Sequence, residues 1–228
     1  LLKKGFVLVV LSILCLFPNT VVFAEDLTES QKDDIQTAKE RTEKALKEME
    51  KINTPIYYGD PKLSTNRISG LQFEASLAST PYWKRKGMIY VTLSSSSSGS
   101  SAWAGGHAGI SYSSKYTIES FGNKGDKNGV RKWSNTWEKR YKHFYALGVG
   151  TTTLDDDKKA ADKANSYIGK PYNYNFFYIN QNNSFYCSQL VWYVFKHLPE
   201  HAVDLNDGGA VWPIDLKESK HTYVAYEQ

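Results

Sequence analysis

Between Gly87 and Val149 the chain carries short segments of strand character with only loop and turn signals between them, and helical segments follow. Gly87-Met88-Ile89-Tyr90-Val91-Thr92 and His107-Ala108-Gly109-Ile110-Ser111-Tyr112 read as strands, and Tyr116-Thr117-Ile118-Glu119-Ser120 alternates apolar with polar residues. Ser94 to Ser101 is a Ser/Gly-rich loop, and Gly122 to Gly129 is a turn cluster ahead of Val130-Arg131-Lys132-Trp133. His143 to Val149 gives a further strand, and His221 to Tyr226 closes the chain as another. A helix is expected over Asp155 to Ile168, followed by Gly169, and a second over Tyr186 to His197, stopped by Leu198-Pro199. The expected architecture is therefore α+β, a mainly antiparallel sheet packed by helices.

Two further segments precede this domain. Residues 1–24 have the make-up of a cleavable export signal: Lys3 and Lys4, an apolar run from Gly5 to Phe17, then Pro18 and a small-residue site ending at Ala24. That run is too short to span a bilayer comfortably, so no stable membrane insertion is expected after cleavage. Leu14, just before Cys15, is too bulky for a lipid-anchor site. Residues 25–54 form a helical arm, with a helix from Asp26 to about Ile52, candidate N-caps Thr28 and Ser30, and a thin apolar face of Ile35, Ala38, Ala45, Leu46 and Met49. Such a helix suits a surface helix laid along a domain or a mobile arm. Residues 55–228 make up the main domain, with 55–83 expected to be irregular.

Losing Lys3 and Lys4 with the signal lowers the net charge from +4 to +2, and no dense Lys/Arg block remains. Nucleic acid is therefore a poor partner for this chain. Cleavage also removes one of the two cysteines, leaving Cys187 alone. A single thiol in an exported protein cannot form an intrachain disulfide, so it is buried and inert, joined to another chain, or reactive.

Cys187 lies in Phe185-Tyr186-Cys187-Ser188-Gln189-Leu190-Val191-Trp192, near the start of an apolar helix. The helix dipole and first-turn N–H groups favour a thiolate there and could bind an oxyanion. A small buried hydrophobe fits the same place, because Cys187, Val191 and Val194 share one helical face. His107 opens a strand after Gly105-Gly106, and those glycines leave room for a substrate or another backbone. It could accept the thiol proton, or be a hydrogen-bonded histidine at the sheet edge. Glu119, on the next strand, could orient the imidazole, or be a solvated strand residue.

Taken together, Gly-His-Ala-Gly-Ile, Ile-Glu-Ser, Gly-Lys-Pro-Tyr-Asn-Tyr and Tyr-Cys-Ser-Gln-Leu-Val-Trp resemble the YiiX/YebB-like cysteine hydrolases of the NlpC-type papain-like superfamily. The resemblance covers roughly residues 80–220 and includes Gly169-Lys170-Pro171-Tyr172 and Pro213-Ile214-Asp215. It implies a circularly permuted papain-like fold in which the histidine strand precedes the cysteine helix. By analogy it makes Cys187 the nucleophile, His107 the base and Glu119 the orienting third member, with no cofactor. Trp103, Tyr172, Tyr174 and Tyr186 are either core residues or the walls of a cleft for an extended substrate.

The leading expectation is an exported or wall-associated peptidase or amidase acting on cell-wall peptide (peptidoglycan). A non-catalytic wall- or partner-binding protein on the same fold is the alternative, and acyl transfer ranks below both. No metal site is expected. A helix start accounts for Asp155-Asp156-Asp157, a turn accounts for Asp204-Leu205-Asn206-Asp207-Gly208-Gly209, and His143, His197, His201 and His221 are too scattered to form a cluster.

Overall fold

The computed structural model describes residues 27–64, 81–94 and 105–228, so the expected export signal, Cys15, Trp103 and most of the Ser-rich loop lie outside the described residues. The helices are α1 (Glu29–Met49), α2 (Pro61–Ser64), α3 (Trp137–Arg140), α4 (Leu154–Ser166), α5 (Cys187–Lys196) and α6 (Pro213–Glu218). The strands are β1 (Ile56–Tyr57), β2 (Ile89–Thr92), β3 (His107–Ser111), β4 (Tyr116–Phe121), β5 (Gly129–Ser134), β6 (Tyr145–Val149) and β7 (Thr222–Glu227). They join in one sheet in the order β1-β7-β6-β2-β3-β4-β5. Every neighbouring pair is antiparallel. No helix among the described residues is long and apolar enough to cross a membrane.

Both faces of the sheet are covered, which explains why β2, β3 and β6 are buried along their whole length. On one face Ile89, Val91, Ala108, Ile110, Ile118 and Leu147 pack with Ala160, Ala161 and Ala164 of α4 and Leu190, Val191 and Val194 of α5. Tyr90, between Ile89 and Val91, points the other way into a second, aromatic cluster with Trp83, Trp137, Phe144 and Tyr226. In it Trp83 stacks on Tyr226 with ring centroids 4.4 Å apart.

Helix α1 begins at a capping box in which Gln31 N–H donates to Thr28 Oγ1 at 3.2 Å and Thr28 N–H donates to Gln31 Oε1 at 2.9 Å. Its buried residues, Ile35, Ala38, Thr42, Ala45 and Met49, recur at alternating steps of three and four, the stripe a docked helix needs. Arg41 bonds Asp215 at 2.8 Å and Glu218 at 2.9 Å on α6, and Asp34 accepts from Trp212 Nε1 at 2.9 Å. Of the two forms open to this helix, the structure takes the packed one. Burial raises Asp215 to about 6 despite the neighbouring Arg41.

Two departures from the sequence expectations have simple causes. Ile56–Tyr57 is an edge strand paired with Glu227 and Tyr226, and two residues are too few to show alternation. The helix start accounts for Asp156, which caps Thr153, but not for Asp157. Asp157 is buried and bonds Lys62 at 2.8 Å, Arg85 at 2.7 Å and Thr152 at 2.6 Å, tying the segment before the sheet to α4.

Candidate active site

His107 is the first residue of β3, and the backbone before it is tightly constrained. Gly106 has φ +87°, and a Cβ there would lie 2.4 Å from the Thr92 carbonyl oxygen and 3.2 Å from Pro213 Cβ. The room left by this glycine is filled by a neighbouring strand's backbone. Gly106→Ala is expected to cost about 2 kcal/mol or more of stability and to lower any activity that depends on His107. Thermal unfolding and turnover of the same preparation measure both effects.

Alternation puts His107, Thr117, Glu119 and Phe121 on one sheet face, opposite the face of Ala108 and Ile118. Glu119 stands opposite Gly109, where a Cβ would come within 2.6 Å of Glu119 Cγ. That glycine makes space for the carboxylate to reach sideways. His107 Nε2 then lies 2.9 Å from Glu119 Oε2. The imidazole also stacks against Phe121 with centroids 4.1 Å apart and against Trp137 at 5.7 Å, which fixes its plane.

Glu119 has more partners than the sequence suggested. Arg140 grips it with both terminal nitrogens, at 2.5 Å to Oε1 and 3.2 Å to Oε2. Trp137 Nε1 donates to Oε1 at 3.1 Å, and Thr117 Oγ1 donates to the same oxygen. Burial alone would raise this carboxyl, but the bond to His107 and the Arg140 charge outweigh it and hold Glu119 at about 2. It is a carboxylate at any physiological pH, so Nε2 of His107 carries the proton that it accepts.

Cys187 is the first residue of α5, and the start of that helix is pinned from several sides. Ser120 Oγ donates to the Phe185 carbonyl at 2.6 Å, and Ser188 Oγ donates to the Val211 carbonyl at 2.6 Å. Gln189 Oε1 accepts from Tyr186 N–H at 3.2 Å and from Asn173 at 3.0 Å. The helical ladder begins with Leu190 N–H to Tyr186 C=O at 3.0 Å, so the amides of residues 187–189 precede it. Cys187 and His107 are both fully buried. Burial by itself would lower His107, but Cys187 and Glu119 beside the ring outweigh it and raise its pKa. With Nε2 on Glu119, the other ring nitrogen, Nδ1, is buried and is the one left to face the Cys187 thiol.

Of the three candidate site residues from the sequence, His107 and Glu119 meet at 2.9 Å, and Cys187 lies near the His107 ring. The aromatic residues expected to wall a cleft are placed differently. Tyr186 is buried, its hydroxyl donating to the Phe176 carbonyl at 3.1 Å and accepting from Val211 N–H at 2.7 Å. Tyr172 is also buried and packs on Tyr174, with centroids 4.8 Å apart. Both rings support the core around the helix start. Tyr174 is the one with exposed surface, and its hydroxyl donates to the Gly122 carbonyl at 2.9 Å.

Next to the site is a cleft of about 510 Å³, lined by Leu46, Glu50, Ser94, Arg140, Tyr141, Lys142 and His143. Arg140 is the link: one side of its guanidinium holds Glu119 and the residue lines the cleft. Sequence reasoning missed Arg140 and Trp137, because α3 reaches Glu119 only through the chain path beyond β5, and it missed Thr117, although alternation along β4 puts that residue on the Glu119 face. Elsewhere, Asp156, Glu200 and His201 each bring one ligand atom within 4.8 Å of the others. Asp156 is already occupied by the Thr153 cap and by His201 Nδ1 at 2.9 Å.

Residues 87–206 match the family described as permuted papain-like amidase enzyme, YaeF/YiiX, C92 family. Among solved structures the chain is similar to the metalloprotein yiiX from Escherichia coli O157:H7, at 17% identity and a TM-score of 0.46, over 61% of this chain and 95% of that one. No curated protein matches the chain. The order of histidine strand before cysteine helix, the antiparallel sheet and the match over more than half its length place this chain in the permuted papain-like amidase family.

Proposed function

We propose that the chain is a cysteine amidase or peptidase in which Cys187 is the nucleophile, His107 the base and Glu119 the group that orients His107. The observation that carries this reading is His107 bonded at 2.9 Å to a buried Glu119, with Cys187 at the start of α5 in a chain of the amidase family. In the first half-reaction His107 Nδ1 takes the thiol proton and the sulfur adds to the amide carbonyl carbon. The resulting oxyanion is met by N–H groups at the start of α5. The C–N bond then breaks, and the proton on His107 passes to the departing amine. Water attacks the thioester with His107 again as base, releasing the acid and the free thiol. Glu119 remains ionised throughout and favours the imidazolium.

The apolar leader and Ala24 site support an exported enzyme, and export supports a cell-wall peptide as substrate. The test is incubation of the mature chain with purified peptidoglycan and with soluble peptides. New amino and carboxyl ends, with a thioester on Cys187 trapped by rapid acid quench, are the expected products. No new ends from any of them would count against the reading.

A non-catalytic binding protein is favoured by one observation, the complete burial of Cys187 and His107. Pull-down on peptidoglycan that is unchanged in Cys187→Ser, with no amine released by wild type, would support that alternative.

A further inference from the structure

We propose that the cleft lined by Arg140, Lys142 and His143 is a subsite that reads a carboxylate on the substrate, an inference that rests on the amidase reading above. Arg140 has five N–H donors, and Glu119 takes one from each terminal nitrogen. The other three have no acceptor among the described residues, and about a quarter of the side chain (27%) is exposed. Its guanidinium lies beside both Trp137 and Tyr141, with the guanidinium carbon 5.4 and 5.3 Å from their ring centroids. A guanidinium fixed in this way loses little freedom on binding a second carboxylate.

Two neighbours add to it. Lys142 lines the same cleft, is exposed, and has no ion pair among the described residues. His143 also lines the cleft and is buried, with neither ring nitrogen hydrogen-bonded. A polar ligand would relieve that vacancy. Tyr141 belongs both to the cleft and to the site, with its ring centroid 6.3 Å from that of His107. Among the described residues the one acidic group in the lining is Glu50, exposed at the end of α1, and it opposes a carboxylate ligand.

The test compares peptides that differ at one position as Glu or Gln, and peptides with a free or amidated C-terminus. This separates a side-chain carboxylate from a terminal one. Turnover is measured with wild type, Lys142→Glu and Glu50→Gln, and binding to Cys187→Ala is measured by calorimetry. The expected result is a preference of about tenfold or more for one carboxylate form, as for a charge-assisted hydrogen bond. Lys142→Glu should cut that ratio severalfold and Glu50→Gln should raise it. Equal use and equal binding of the acid and amide forms, or a ratio untouched by Lys142→Glu, overturns the proposal. Discrimination in binding without turnover of any peptide would keep the subsite and reject the amidase reading.

Discussion

Cys187→Ala should abolish amide hydrolysis, with a loss on the order of 10⁴-fold or more, while the fold stays intact. The size of the effect follows from the role: without sulfur there is no acyl intermediate, and no other group of the site can replace it. The side chain is small and fully buried at the first position of α5, so alanine fills nearly the same space. Circular dichroism and thermal unfolding should match wild type within a few degrees, while release of amine from a cleavable peptide falls to background. Normal turnover in this variant would remove the proposed nucleophile.

Glu119→Ala should have the largest effect on stability, about 3–5 kcal/mol, because it leaves Arg140 and His107 without their buried partner. It should also lower turnover by roughly 10²- to 10⁴-fold, since the imidazole loses both its orientation and the charge that favours its protonated form. The pH dependence of stability carries the same signature. A carboxyl at about 2 when folded, against an ordinary value of 4.5, contributes stability that is present above about 4.5. That contribution is lost as pH falls toward 2. His107 has the opposite sign: its raised value contributes stability below the ordinary histidine range, lost as pH rises through the folded value. Denaturant unfolding of wild type and Glu119→Ala between pH 2 and 7 should therefore converge at the acid end. Parallel curves would contradict this.

Strands β2, β3, β4, β6 and β7 and helices α4 and α5 were legible in the sequence because each displays its own period, whereas β1 is too short to show one and β5 was not read as a strand. The gathering of Cys187, His107 and Glu119 was legible through the family pattern of residues. Arg140 was not, because it lies in a four-residue helix and meets Glu119 only through the β4–β5 turn and the chain path beyond it. The docking of α1 was equally hidden, since Arg41 and Asp215 are 174 positions apart. Tyr186 shows the limit at a helix start: a ring that walls a cleft and one that anchors the core have the same local sequence, and only the two backbone bonds to its hydroxyl distinguish them.

The coupling of Cys187 to His107 is the centre of this account, and the alkylation rate of Cys187 by iodoacetamide as a function of pH tests it directly. The account predicts a wild-type thiol that reacts as a thiolate well below pH 8.5, the ordinary cysteine value, and a profile displaced upward in His107→Ala. A thiol that titrates near 8.5 in both proteins, or that is unreactive in the folded state and reactive only after denaturation, would contradict it.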